Sequence, residues 1–326
     1  MTANVTRRRL VLALIIGGLL PRGSWAGGRS RPVRIGALSA SWGPTPQMAG
    51  MRDLLLERGY REVGDFDIGV RFTQGDLSAL GEAARQLLAF PVDMLFTSGS
   101  DAARAAKQAT ATIPIVFTGP IGDPVRAGLV QTYGRPGGNV TGVTDLDLDL
   151  CPKRLELLRE MVPGLKRALF PFDSADDYSV VMARTYSEAG RRLGVGVVDK
   201  PCRTTAEARW VVAASRRDVQ AIVVPSSLSF NIPGVVLDAT LEKPIPTMFN
   251  AAFWAEKGAL ASYGPDLYVS GRQAGRLVEK IMSGVPPADI PVEANPKIEF
   301  TINRKTAQIL RLSLPLGVVN RADRLL

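Results

Sequence analysis

Short apolar runs alternate with longer amphipathic ones along most of this 326-residue chain. That rhythm restricts the fold more than any other feature. Val33–Leu38 reads as a buried strand, and Pro44–Gly59 as a helix with Met48, Met51, Leu54 and Leu55 on one side. Asp67–Thr73 alternates as a strand. Leu77–Ala89 then reads as a helix, Val92–Thr97 as a strand, Asp101–Ala109 as a helix and Ile113–Phe117 as a strand. Strands separated by helices of about ten to fifteen residues form βαβ units and a parallel sheet. A tight Gly/Pro turn, a short helix and a strand entered through Pro136-Gly137-Gly138 follow. The rhythm changes near residues 141–150 and restarts at Arg167. There the expected order is strand Ala168–Pro171, helix Asp177–Leu193 ending at Gly194, strand Val195–Asp199, helix Thr205–Arg217, strand Ala221–Val224, helix Val235–Leu241 and strand Ile245–Met248. Ala259–Tyr263, a long helix over Asp266–Ser283 and a strand over Lys297–Ile302 complete the pattern. The expected fold class is α/β, with two Rossmann-like lobes built on parallel sheets.

Composition removes several kinds of chemistry. The chain has no histidine, so neither a Ser-His-Asp nor a Cys-His nucleophile system can be built, and no metal can be held by imidazole. General acid–base work would fall to carboxylates, Lys or Tyr. The two cysteines, Cys151 and Cys202, cannot form a zinc cluster by themselves. In an oxidising compartment they could pair, but nothing in their spacing forces them together. Asp145, Asp147 and Asp149 alternate as if for a cation. The segment lacks the glycine and terminal glutamate of a calcium loop, and reads better as a crossover and helix N-terminus, where acids suit the dipole. No P-loop lysine motif is present, and no G-x-G-x-x-G opens a helix after a strand. No cofactor and no metal are expected. The formal net charge is +9; Arg7, Arg8, Arg9 and Arg22 supply four of it in residues 1–26, which contain no acid, so the rest of the chain carries +5. Its basic residues are scattered among acids, as in Arg154, Glu156, Arg159 and Glu160, which argues against a nucleic-acid partner.

The N-terminus has the succession of an export signal: basic Arg7-Arg8-Arg9, the apolar run 10–20, Pro21, and the small-x-small site Ser24-Trp25-Ala26. The run is shorter than the roughly 20 residues a membrane span needs. Cleavage after Ala26 is expected, by the Sec route or, given the arginines, the twin-arginine route. An uncut anchor is the other reading. No Cys stands at the cleavage point to carry a lipid.

The stretch Pro114-Ile115-Val116-Phe117, Gly122-Asp123-Pro124-Val125 and Arg135-Pro136-Gly137-Gly138-Asn139-Val140-Thr141-Gly142-Val143-Thr144 resembles the substrate-binding proteins of bacterial ABC importers related to the tryptophan or aromatic amino acid type. The helix segment 153–163, Ser262-Tyr263-Gly264, the segment 281–291 and Ile302-Asn303-Arg304-Lys305-Thr306-Ala307 occur in the same order as in that family. The resemblance implies a type I periplasmic-binding architecture with a hinge and an interlobe cleft, crossed three times by the chain. It implies a first lobe of residues 27–143 plus 263–292 and a second of 144–262 plus 293–326. It also implies no catalysis, a small-molecule ligand of the amino acid or amino-acid-like class, ABC permease and ATPase partners, a monomer, and a periplasmic location. Asp173-Ser174-Ala175-Asp176 and Ser226-Ser227-Leu228-Ser229 depart from the family's pattern, so ligand identity does not transfer.

In open α/β sheets ligands bind beyond the carboxyl ends of the strands, which selects candidate residues. Thr97, Ser98, Gly99 and Ser100 lead into a helix and could hold an anion on its free N–H groups, or simply cap it. Ser41 and Trp42 end the first strand, and Trp42 either covers an apolar ligand or packs as a lid. Thr118 follows the fourth strand. On the second lobe Asp173, Ser226, Ser227 and Asn250 end their strands, and Asp173 could hold an ammonium or be a solvated loop acid. Asp145 matches an acidic position of the amino-acid-binding relatives and is the leading ammonium partner. Tyr263 either reaches the ligand or packs at the hinge. Two other functions remain in view: an exported α/β enzyme using carboxylate or Lys chemistry, and the ligand-sensing lobe of a signalling system.

Overall fold

A computed structural model describes residues 31–215, 217–295 and 297–326. The expected signal peptide, residues 1–26, lies outside the described residues. The chain runs β1 (Val33–Ser39), α1 (Pro46–Glu57), β2 (Phe66–Phe72), α2 (Leu80–Leu88), β3 (Met94–Ser98), α3 (Ser100–Ala109), β4 (Ile115–Gly119) and β5 (Val140–Thr144). It continues through α4 (Asp147–Met161), β6 (Arg167–Asp173), α5 (Asp177–Leu193), β7 (Gly196–Cys202), α6 (Thr205–Ser215), β8 (Ala221–Val223), α7 (Ile232–Glu242), β9 (Thr247–Phe249), α8 (Ala252–Glu256) and β10 (Ala261–Pro265). The last segments are α9 (Leu267–Met282), β11 (Glu293–Ala294), β12 (Ile298–Ile302), α10 (Arg304–Ile309), α11 (Leu316–Val319) and β13 (Arg324–Leu325).

Two sheets result, as the doubled rhythm requires. The first is six-stranded and parallel, in the order β11-β5-β4-β3-β1-β2. The second is seven-stranded, β13-β12-β10-β9-β8-β6-β7, with one antiparallel pair, β10 with β12. The chain therefore passes between sheets after Thr144, after Pro265 and after Ala294.

The helix ends follow local chemistry. Thr45 caps α1, accepting from the Met48 N–H at 3.3 Å, with Pro46 at the first helical position where its missing N–H costs nothing. Asp176 caps α5, which closes on Gly194 in the left-handed region. Each sheet buries apolar cores on both faces. The near-continuous apolar runs of β3 and β4 reflect burial on both sides. On the first sheet, α1 and α9 approach so closely that a Cβ on Gly271 would stand 2.0 Å from the Gln47 carbonyl oxygen, and one on Gly50 2.2 Å from that of Tyr268. Glycine seals this seam, and the seam returns the late helix α9 to the first lobe.

One expectation needs correction. The short helix expected after Gly122 is a single turn. The Asp123 carboxylate accepts from the Val125 N–H at 2.9 Å, Ala127 N–H bonds the Asp123 carbonyl at 2.9 Å, and Gly128 at φ +67° ends the turn. Cys151, inside α4, and Cys202, closing β7, are buried free thiols, and burial pushes them up to about 12 and about 11. Among the described residues no group of acids and cysteines could hold a metal, and no helix is long and apolar enough to cross a membrane.

Candidate functional site

The strand ends of both sheets face one another across a cavity of about 320 Å³. That size is at the lower end for small-molecule sites. From the first lobe come Ser41 and Trp42 after β1, and Ser98, Gly99, Ser100 and Asp101 where β3 passes into α3. From the second come Tyr178 in the first turn of α5, Ser226 and Ser227 after β8, and Asn250, Phe253 and Trp254 around the start of α8.

Much of the wall is aromatic. Trp42 is 48% exposed and Phe253 47%. Trp42 lies against Gly75, where a Cβ would meet its ring at 2.9 Å. Phe253 meets Trp254 edge-on at 5.2 Å, and Trp254 stacks on Phe249 at 5.2 Å. Such rings leave large apolar faces for a ligand at little conformational cost.

The polar groups are few. Gly99 sits at φ +97° before α3, a left-handed position that favours glycine, and its N–H bonds the Thr118 carbonyl at 2.9 Å. Ser41 Oγ donates to the Gly43 carbonyl at 2.7 Å. Ser98 Oγ shares a 3.3 Å hydrogen bond with Thr45 Oγ1. Ser226 is buried on the opposite wall, and its Oγ has no protein partner.

The sequence-selected residues thus divide. Ser41, Trp42, Ser98, Gly99, Ser100, Ser226, Ser227 and Asn250 come together on the cavity wall. Thr97, Thr118, Asp145, Asp173 and Tyr263 stand behind it. Thr97 and Thr118 are fully buried on adjacent strands with unpartnered Oγ1 atoms. Asp173 is occupied by its own loop, accepting from the Ala175 N–H at 2.8 Å and from Ser229 Oγ. The Tyr263 ring packs edge-on to Phe300 at 6.1 Å.

Asp145 lies at the first crossing, 2% exposed, with Oδ1 unpartnered. Burial and then neighbouring Asp147 hold its pKa well above the usual carboxylate range, against the pull of Arg154. Leu146 beside it adopts φ +53°, a strained position for a leucine. Below is a buried network that sequence reasoning did not anticipate. Arg154 pairs with Asp147, both completely buried, and its Nε donates to the Tyr263 carbonyl at 2.6 Å. Tyr178 donates its hydroxyl to the other Asp147 oxygen at 2.8 Å. One guanidinium thus joins the first crossing to the strand before the second. At the remaining crossings, Asn295 N–H bonds the Thr144 carbonyl at 2.8 Å, its amide bonds the Asp266 carbonyl at 3.0 Å, and Lys297 pairs with Asp266 at 2.8 Å.

Asp101 was read only as a helix start, yet it is the charged residue on the cavity wall. Burial, then Asp176 of the other lobe, pushes it up to about 6, against Arg104. Its position directly after Ser100, at a helix start beyond a strand end, was the available signal. Tyr178, Phe253 and Trp254 were also missed, although the last two follow Asn250 closely.

A two-lobed α/β protein with its cavity at the strand ends of both lobes is a ligand-binding protein of the type I periplasmic-binding class. The chain belongs to the ABC transporter substrate binding protein family, whose family model matches residues 44–325. Its role is solute binding; proteins of this family take small molecules and work with ABC permeases. A tyrosine-binding protein of Clostridioides difficile (strain R20291) is 28% identical over 263 residues, covering 80% of this chain and 75% of that one. The crystal structure of an ABC domain in complex with L-Trp from Streptococcus pneumonia is 28% identical, covers 90% of this chain and 100% of its own, and superposes with a TM-score of 0.80. The ligand-free, open structure of a substrate binding protein with adhesive properties from Clostridium difficile is 26% identical, with 90% and 99% covered and a TM-score of 0.63.

Proposed function

We propose that the protein captures an amino acid or amino-acid-like solute in the interlobe cavity and delivers it, chemically unchanged, to an ABC permease driven by its ATPase. The cavity carries this reading: strand-end loops, the start of α3 and aromatic walls enclose a space of amino-acid size. The relatives that bind tyrosine and L-Trp support the ligand class. The lack of histidine removes the Ser-His-Asp and Cys-His nucleophile systems from consideration.

In this reading the α3 N-terminus, with Ser98, Gly99 and Ser100, receives the solute carboxylate. Trp42, Phe253 and Trp254 cover its apolar body, and Ser226, Ser227 and Asn250 supply polar contacts. Asp145 takes the ammonium; its unpartnered oxygen supports that role. Thr97, Thr118, Asp173 and Tyr263 shape the site from behind. The lobes, divided where the chain crosses after Thr144, Pro265 and Ala294 rather than at residues 143, 262 and 292, close about the three crossings. The better superposition on the L-Trp complex than on the open structure fits a closed cleft. The protein works as a monomer outside the cytoplasmic membrane, after removal of residues 1–26.

Calorimetry with L-tryptophan and L-tyrosine, paired with X-ray scattering, tests this. Binding of either should shrink the radius of gyration as the lobes close. Conversion of a bound amino acid to product would overturn the reading, and so would binding without compaction.

A further inference from the structure

Asp101 has no role in the reading above, although its side chain is 22% exposed on the cavity wall. Its ion-pair partner is Arg104, one turn along α3 at 3.8 Å and itself 39% exposed. A pair that long and that wet contributes little. Asp176 and Asp173 of the second lobe stand outside the cavity lining. Both are committed to their own loop: Asp176 accepts from the Tyr178 N–H at 3.0 Å and from Ser179 Oγ at 2.6 Å, and Asp173 from Ala175 and Ser229. Among the described residues Asp101 is therefore the one charged side chain that lines the cavity, and its only ion pair is a long, wet one.

A carboxylate on the cavity wall with so weak a partner favours a ligand that brings a positive group to it. Two independent features point to an occupant. Ser226, 7% exposed on the facing wall, holds an Oγ without a partner. The walls also offer Trp42, Tyr178, Phe253 and Trp254, whose ring faces attract cations.

Asp101 lines the cavity, whereas Asp145 stands outside that lining at the first crossing, so the two acids are separate candidates for two positive groups.

Resting on the amino-acid reading, we infer that Asp101 is a specificity-determining residue: it accepts a second cationic nitrogen of the solute, and the favoured ligands are amino-acid-like molecules with a positively charged group on an apolar stem. The carboxylate makes a charge-assisted hydrogen bond to that nitrogen. A ligand with a neutral side chain leaves the carboxylate with Arg104 alone, and one with an acidic side chain sets a like charge against it.

The test compares pairs of similar shape that differ in side-chain charge, lysine against norleucine and arginine against citrulline, by calorimetry on wild type and Asp101→Asn. In the wild type the cationic member should bind at least about tenfold tighter, a gap of about 1.4 kcal/mol. In Asp101→Asn that gap should shrink to about threefold or less, with the neutral ligands unaffected or improved. Thermal melts check folding. Asp101→Ser, which keeps a polar residue in the first turn of α3, replaces the asparagine variant if that one fails to fold. Amino acids that bind without a charge gap, or a gap that survives both substitutions, overturn the role of Asp101 and leave the amino-acid reading standing. Wild-type protein that binds no amino acid of any charge sinks that reading and the role of Asp101 with it.

Discussion

Arg154→Met should lower the stability of the protein by about 3–5 kcal/mol, the usual cost of removing one partner of a buried ion pair. The guanidinium is wholly enclosed, and burial alone would oppose its charge; Asp147 outweighs that and raises its pKa. Methionine fills much of the volume but leaves the Asp147 carboxylate buried beside Asp145 with only Tyr178 to stabilise it. The Tyr263 carbonyl also loses its Nε–H donor. Denaturant unfolding gives the number. Asp147→Asn in the same chain should restore part of the loss, because it removes the stranded charge. A single variant as stable as wild type would mean that the network does not hold the crossings together.

Asp145→Asn should weaken amino-acid binding by about 2–5 kcal/mol, the range for breaking a buried, hydrogen-bonded charge pair between partners. Because burial raises the pKa of Asp145, the empty site holds a proton at pH values where a surface aspartate has lost it. An arriving ammonium favours the ionised form, so binding expels the proton. Affinity should therefore rise with pH until the empty site is itself ionised, and fall as pH drops below that point. Calorimetry in two buffers of different ionisation enthalpy counts the proton; the asparagine variant should release none. The folded state should tolerate the change, since asparagine resembles the protonated acid in size and charge. Unchanged affinity would remove Asp145 from the site, and a collapsed melting temperature would make it a structural residue of the first crossing.

Where periodicity decides, sequence and structure agree closely. Asp177–Leu193 with its Gly194 cap appears at the expected residues, because an N-cap acid, an apolar stripe and a left-handed glycine all specify the same ends. The long late helix was also legible. Which sheet it joins was not legible from spacing and entered only with the family resemblance, because it depends on bare backbone approaching at Gly50 and Gly271. In the site, the strand-end rule found the loops: Ser41, Trp42, Ser98 to Ser100, Ser226, Ser227 and Asn250 all reach the cavity. It could not rank residues within a loop. Alternation turns Thr97 to the face opposite Ser98, and Thr118, level with Ser98 on the neighbouring strand, is wholly buried, while Asp101, one step into a helix, lines the cavity. The Arg154–Asp147 pair was invisible for a different reason. The segment around Arg154 reads as an ordinary solvated helix face, and only the packing of α4 between two crossings buries that guanidinium.

The central claim is that this protein holds one small solute between its lobes and lets it go unchanged. Native mass spectrometry of protein purified without refolding tests that most directly. A stoichiometric mass increment should be seen that leaves on gentle activation and is recovered as an intact amino acid or amino-acid-like cation. Protein that stays ligand-free after incubation with a metabolite extract, or that releases a chemically altered solute, would contradict it.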